Sequence, residues 1–433
     1  MTKFDERIRL KEAIMMQTYS YPTSKQLLER ALKVIPSGVY GHLGPVEGSM
    51  LPPSAFPFYA SRANGAYFWD VDGNRFIDYM CAYGPNILGY NDEEVERAAN
   101  EQAGLGNCVT LPSIKMIEFA ELLVDTVHSA DWAFFAKNGG DATSFALTIA
   151  RAETGRKKAI FVKRDYHGVS PWAKLIGNAG VVEEDVSHNL YVDWNDYQAL
   201  ENLVEQHPGE IACLMACPYS HGNYVDNELP AADYWSKVRA LCTKHGIVLA
   251  IDDVRCGFRL DLAGSDHYYG FKADLICFCK ALANGHNVSA ICGIQELKGT
   301  AASVFYTGSY WFSSVPFAAG IATIQKLKRI DAPKLLREIG QKLTGGLVDV
   351  AKSHGFHLNI SGELPLWYMR ITDDDTQVLH QAWIAACVQR GVFFTNHHNH
   401  FLNTALTDED IAFTLDVADD AFKAVKQLLP QYA

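Results

Sequence analysis

The stretch "DLICFCKALANGH", residues 274–286, decides how this chain is read. Five apolar residues, Leu275-Ile276-Cys277-Phe278-Cys279, end abruptly on Lys280, and small residues and a glycine follow. A run that is apolar on both faces reads as a strand buried in a parallel sheet. A lysine at its end marks either the point where the strand meets water or an amine held in a dry pocket. In the second case desolvation makes the amine give up its proton more easily, and it becomes a nucleophile. Cys277 and Cys279 share one strand face and read as core rather than as metal ligands.

Working outward, similar apolar runs lie at residues 158–163, 211–217, 247–251 and 290–293, separated by helical stretches. This alternation predicts a mainly parallel central sheet with helices on both faces. Before it, "PFYASRANGAYFWDVDGNRFIDYM" (residues 57–80) alternates apolar and polar, with turn signals at Asn64-Gly65 and Asp72-Gly73-Asn74. That pattern predicts an antiparallel β meander. "SKQLLERALKVIPSG" (24–38) reads as an amphipathic helix closed by Pro-Ser-Gly. The tail from about residue 331 has a helix–strand–strand–helix texture of its own. The expected organisation is an N-terminal segment and meander (1–90), a large α/β domain (91–330) and a C-terminal part (331–433). The two outer parts together form a smaller α+β domain.

Bulk properties narrow the function. The chain has 433 residues, 48% of them apolar and 20% charged, which describes a packed globule. A net charge of −12 argues against nucleic acid or an anionic membrane as a general partner. No run of about 18 apolar residues predicts a membrane span. The N-terminal "MTKFDERIRLKEAIMMQ" carries no apolar signal core, and ten scattered cysteines read as reduced thiols, so a cytoplasmic location is expected.

In open parallel sheets, ligands bind beyond the carboxyl ends of the strands. Asp252 and Asp253 follow one apolar run, and "RDYHG" follows another, placing Tyr166 and His167 in one loop. "KNGGD" precedes a helix, so Asn138, Gly139 and Gly140 offer backbone N–H groups at a helix N-terminus, a natural phosphate site. "YTGSYWFSS" adds Gly308 and Ser309. Together these describe one ligand. It has a phosphate, a flat ring stacked between Tyr166 and Val254, a ring cation facing Asp252, and a carbonyl for Lys280. Pyridoxal 5′-phosphate (PLP) has all four. A Schiff base needs an unprotonated amine, and an acid beside the pyridine nitrogen keeps the ring ready to accept electrons. At ~4 Å and an effective dielectric of ~20, that acid–cation pair attracts by about 4 kcal/mol before desolvation.

These segments resemble the class-III (subgroup II) aminotransferases of PLP fold type I, in particular the glutamate-1-semialdehyde aminomutase-like branch. The resemblance covers nearly the whole chain. It rests on "GAYFWDVDGNRFIDYMCAYGPNILGYND" (65–92), "FAKNGGDATSFALTIARAETGRKKAI" (135–160), "IDDVRCGFR" (251–259), "DLICFCKALANGHNVSAICG" (274–293) and "GSYWFSSVPFAAG" (308–320). It implies that Lys280 forms the Schiff base, that Asp252 serves the ring nitrogen and that Val254 lies behind the ring. It further implies that Ser309 reaches the neighbouring subunit's phosphate in a homodimer with shared sites. The activity implied is amino-group transfer between an amine or amino acid donor and a keto or aldehyde acceptor, by a ping-pong mechanism. An aminomutase, racemase or decarboxylase on the same site, or a non-catalytic PLP-binding protein, remain alternatives.

Several positions depart from the family pattern. The usual Ser-Gly-Thr-Glu is Asn138-Gly139-Gly140-Asp141, and Cys279 replaces a glycine. Cys217-Pro218 stands for Glu-Pro, with Asn223 assigned to the ring oxygen. In the segment "PSGVYGHLGP" (36–45), Gly44 occupies the position of the branch's carboxylate-binding arginine. Tyr40, His42, Trp311 and His398 are candidate substrate contacts. "NHHNH" (396–400) invites a metal reading, but adjacent strand residues point to opposite faces, so a polar pocket rim or surface loop is expected and no metal is assigned.

Overall fold

The computed structural model describes residues 18–39 and 54–428, so Tyr40, His42 and Gly44 lie outside the described residues. The predicted meander is present as β1 (Ala60–Asn64), β2 (Tyr67–Asp70) and β3 (Arg75–Asp78), paired antiparallel. Its second turn is shaped by Asp70, whose Oδ1 accepts the backbone N–H of Asp72 (3.0 Å) and of Asn74 (2.8 Å). The first helix is shorter than its sequence suggests, Pro22–Ala31. Leu32, Val34 and Ile35 continue the apolar rhythm but are exposed in turns, because Gly38 bends the chain away at φ 74°.

The central sheet contains β4 (Trp132–Ala136), β5 (Lys158–Val162), β6 (Asn189–Val192), β7 (Ile211–Ala216), β8 (Val248–Asp252), β9 (Leu275–Phe278) and β10 (Ser289–Gly293). Their order across the sheet is β4-β10-β9-β8-β7-β5-β6. β10 runs antiparallel to both neighbours and all other pairs are parallel. Every strand but β10 therefore points its carboxyl end to the same edge. The sheet is buried on both faces. The helix Gly139–Thr154 packs Phe145 and Ile149 against Phe161, Met215, Leu275 and Ile291 on one side. Ile160, Leu214, Ile251 and Ile276 face a larger core on the other.

The C-terminal region adds β11 (Leu358–Glu363), β12 (Leu366–Ile371), β13 (Val392–Phe393) and β14 (His400–Phe401). β11, β12 and β14 form an antiparallel sheet. β13 instead pairs parallel with β3, so one sheet is made from both ends of the chain. No helix among the described residues is long and apolar enough to cross a membrane.

Candidate active site

Lys280 stands at the carboxyl edge of the sheet, just past β9, with Cys279 as the one-residue hinge. Its backbone has φ 42°, the left-handed region that costs a non-glycine residue about 1–3 kcal/mol unless its surroundings hold it. They do: the short helix Lys280–Ala283 buries Ala281, Leu282 and Ala283 immediately behind it. The Nζ donates to the carbonyl of Tyr83 at 2.8 Å. Burial, reinforced by the positive charge of Arg255, lowers the amine from its usual value near 10.5 to about 7. A lysine so placed has a large share of free amine near neutral pH, where an ordinary lysine has almost none.

The neighbouring strand β8 ends on Asp252, only 4% exposed. Its Oδ2 meets His167 Nδ1 at 2.7 Å, and its Oδ1 accepts the backbone N–H of Val254 at 3.2 Å. Burial disfavours charge on His167, but the bond to Asp252 and the charges of Asp252 and Asp165 outweigh it, and the ring's pKa is raised. Asp165 lies 4.0 Å from the His167 Nε2. Cys217 completes this cluster. Burial holds its thiol well above the ordinary range, with Asp165 and Asp252 adding to the effect, so it stays protonated and is a poor metal donor. The cluster is a hydrogen-bonded support for Asp252.

Opposite it, the helix Gly139–Thr154 begins at the end of β4. The Asp141 carboxylate caps it by accepting the Asn138 N–H at 2.8 Å. A Cβ built on Gly139 would lie 3.0 Å from Val254 Cγ1, and one on Gly168 would lie 2.5 Å from the Gly140 Cα. Only glycines allow this approach. It brings the N-terminus of the helix beside Val254 and close to Cys279, whose Sγ lies 3.8 Å from the Lys137 carbonyl. Lys280, Asp252, Val254, His167, Gly139 and Gly140 are thus brought into one place from four strands. Tyr166 belongs to the same loop as His167 and is 58% exposed, with its ring on the open side.

Other expectations need correction. Asn223, assigned to the ring oxygen, is exposed in the loop that follows the Ser220–Glu228 bridge, two positions past the residue that turns inward. The inward residue is His221, which is buried and holds the Arg255 Nη1 at 3.1 Å through Nδ1 and at 2.7 Å through its carbonyl. Trp311 is packed under Gly308, with its ring near Tyr306 (5.1 Å) and Phe134 (6.2 Å). His398 does face the site: its ring stands edge-on to Tyr83 at 5.2 Å, and burial together with Arg255 pushes its pKa well below 6.5. The "NHHNH" segment is not a rim or surface loop, since His397, His398 and His400 are all buried. His400 stacks on Trp367 at 4.7 Å. Ser309 is exposed. His221 went unassigned in the sequence reading, and Arg255 entered it only as an alternative holder, with Arg259, of a substrate carboxylate. The available signal was that Arg255 follows the ring-facing Val254 directly.

The aminotransferase class-III family model matches residues 51–429. The chain belongs to the class-III aminotransferases. An aminopentol aminotransferase from Sphingopyxis macrogoltabida is 41% identical over 401 residues, covering 93% of this chain and 94% of that protein. The structure of the PLP internal aldimine form of the FumI protein from Sphingopyxis sp. MTA144 superposes with a TM-score of 0.89 at 41% identity, over 93% of this chain and 96% of that one. A glutamate-1-semialdehyde aminomutase structure from Pseudomonas aeruginosa shares the fold (TM-score 0.82, 19% identity, 98% and 97% covered). The protein is a PLP-dependent aminotransferase of fold type I. The site fits that cofactor on its own chemistry. A cradle that any Cβ would fill, a buried carboxylate and a depressed lysine match a phosphate, a ring N–H and a carbonyl.

Proposed function

We propose that this aminotransferase takes its amino group from a primary amine whose amine carbon bears no carboxylate and passes it to a keto or aldehyde acceptor in two half-reactions. The observation that carries this reading is the character of the groups around Lys280. Tyr83, His221 and His398 present rings, and burial keeps both imidazoles neutral. Arg259 is fully buried, donates to the Gly84 carbonyl and lies over the Phe401 ring at 5.2 Å, so it is not available to a substrate. The relative that acts on aminopentol, an amine by name, supports the same class.

When bound, PLP supplies a carbonyl that condenses with amines and a ring that takes up the electron pair released at the substrate's amine carbon. In this reading the N–H groups of Gly139 and Gly140 hold the phosphate, Asp252 the ring nitrogen, and Val254 and Tyr166 the two ring faces. His167 holds the Asp252 carboxylate in place through its Nδ1 at 2.7 Å. Lys280, with a pKa near 7, both accepts the proton from the substrate's amine carbon and returns it to the C4′ carbon of the cofactor.

The proposal includes a homodimer in which Gly308 and Ser309 of one chain complete the phosphate site of the other. Around Ser309 lies an exposed apolar face that includes Phe305 (92% exposed), Leu105 (82%) and Leu111 (75%). It is tied together by Cys108 Sγ on the Ser309 carbonyl (3.5 Å) and Ser314 N–H on the Asn107 carbonyl (2.8 Å). Exposed large apolar side chains gathered on neighbouring segments support an interaction surface there. The meander motif of residues 65–92 supports an aminomutase-like ancestry, and the division at residues 90 and 330 goes with it. Substrate use need not follow ancestry. The test is a half-reaction panel of aminopentol, alkyl and aryl amines, and glutamate 1-semialdehyde. Bleaching of the bound cofactor by the amines is expected. Efficient conversion of glutamate 1-semialdehyde to 5-aminolevulinate would overturn the assignment.

A further inference from the structure

We propose that His398 and His221 together receive a hydroxyl group of the substrate, so that the amine this enzyme takes is an amino alcohol with its hydroxyl on the carbon next to the amine carbon. This deepens the amine reading given above and rests on it. The two imidazoles are hung on one residue. The Asn399 carbonyl faces His398 Nδ1 at 2.9 Å, and Asn399 Nδ2 donates to the His221 carbonyl at 3.0 Å. Asn399 is itself held by Asn227, whose Nδ2 donates to its Oδ1 at 2.6 Å. All four residues are buried.

The partners of each ring fix its tautomer, and the two tautomers are opposite. A carbonyl only accepts, so His398 Nδ1 carries the proton and its Nε2 is a bare lone pair. A guanidinium only donates, so His221 Nδ1 accepts from Arg255 Nη1 and the proton of that ring lies on Nε2. Burial keeps both rings uncharged, and the positive charges of Arg255 and Lys280 add to the effect. The His221 Nε2 is buried and has no hydrogen-bond partner among the described residues. Among the described residues no group donates to His398 Nε2 either. The pair thus offers one neutral donor and one neutral acceptor, both unmet.

A hydroxyl gives one hydrogen bond and takes another, so it satisfies both atoms at once. A carboxylate can only accept and would set its lone pairs against that of His398. An ammonium can only donate and would set its N–H groups against that of His221. Tyr83 places the pair beside the chemistry. Its carbonyl takes the Lys280 Nζ at 2.8 Å, and its ring meets the His398 ring at 5.2 Å. One residue therefore spans the reacting amine and the acceptor, which puts the hydroxyl close to the carbon that gives up its amine. A plain amine would leave both imidazole atoms unpaired in a dry pocket, and the site discriminates against it.

The test uses three donors that share the same amine-bearing carbon and its methyl group: sec-butylamine, 3-amino-2-butanol and alanine. Each is mixed with holoenzyme, and the second-order rate constant for bleaching of the bound cofactor is read. The wild type is expected to prefer 3-amino-2-butanol over sec-butylamine by about ten- to a hundredfold. His398→Phe is expected to lose more on the amino alcohol than on the plain amine, bringing that ratio close to one. His398→Gln, which keeps an acceptor oxygen, should retain part of the preference. A wild type that uses the two equally overturns the proposal, and so does a folded His398→Phe enzyme with the wild-type ratio; either result leaves the amine reading standing. The wild-type ratio decides the matter if His398→Phe does not fold. A preference for alanine over both overturns the amine reading and this proposal with it.

Discussion

Replacing Gly168 by alanine tests whether the cofactor cradle depends on direct backbone contact. Gly168 has φ 113°, a conformation alanine adopts only with strain, and its new Cβ would fall 2.5 Å from the Gly140 Cα. Carbon atoms in contact sit at ~3.5–4.0 Å, so the two backbones must part by roughly 1 Å. The loop cannot yield without disturbing its neighbour, because the His167 carbonyl takes the Thr143 hydroxyl at 2.6 Å and its ring holds Asp252 at 2.7 Å. Lengthening the second bond by ~1 Å ends it as a hydrogen bond. A displacement of that size at a reacting site costs about 100-fold in rate. Gly140→Ala approaches the same place from the other side but meets the Gly168 Cα at 3.3 Å, which a shift of a few tenths of an ångström relieves. The expected order is therefore wild type, then Gly140→Ala with a loss of about tenfold or less, then Gly168→Ala with about 100-fold. Steady-state turnover, cofactor absorbance after dialysis and thermal unfolding would be measured on all three. A folded Gly168→Ala enzyme within twofold of wild type in turnover and cofactor retention would refute the contact argument.

Asp252→Asn is expected to keep the cofactor, read by absorbance, while turnover drops at least ~100-fold, since the carboxylate acts on charge that develops during reaction. Mixing a Lys280→Ala chain with a Ser309→Glu chain should restore part of the activity lost by each alone; hybrids shown to form without recovery would count against shared sites. His380 and His400 are fully buried, and burial lowers both to about 3, with Arg370 adding to it for His380 and His380 and His397 for His400. The unfolded chain takes up their protons below pH ~6.5 while the folded chain does not, so these two groups cost stability as pH falls from ~6.5 toward 3, by about 2 kcal/mol each at pH 5. Urea unfolding at pH 7 and pH 5 should show His380→Phe losing roughly half of their joint pH dependence, and an unchanged dependence would show that His380 takes up its proton alike in the folded and the unfolded chain.

The parts legible in the sequence were those governed by local rules. β8 and β9 are continuous apolar runs because both their faces are covered, and the polar residue ending each run, Asp252 or Lys280, was therefore conspicuous. The glycines before the helix Gly139–Thr154 gave its N-terminus away for a similar reason. β6 was missed because it is an edge strand, with Asn189 and Tyr191 facing outward. β4 was passed over as the approach to the helix that follows it. His221 and Arg255 are 34 residues apart, and only the side-by-side pairing of β7 and β8 brings them together. Trp311 followed Ser309 in the sequence and was assigned to the same pocket. A turn closed by the Trp311 N–H on the Gly308 carbonyl at 3.0 Å folds its ring back under Gly308 and beside Tyr306. Residues adjacent in sequence part company at turns, and no periodicity records that.

The sheet shared by the two chain ends sets a timetable for synthesis. The Tyr79 hydroxyl, one residue beyond β3, bonds the Thr414 hydroxyl 335 residues later. A ribosome adding about 5–20 residues per second needs roughly 15–70 s to cover that distance. Throughout that interval β3 has a bare edge, and Phe68 and Phe76 lack the Phe393 ring that later packs against both at 5.2 and 6.1 Å. The nascent chain thus exposes a sticky strand until residues 392–393 have been made, and the meander cannot mature before they exist.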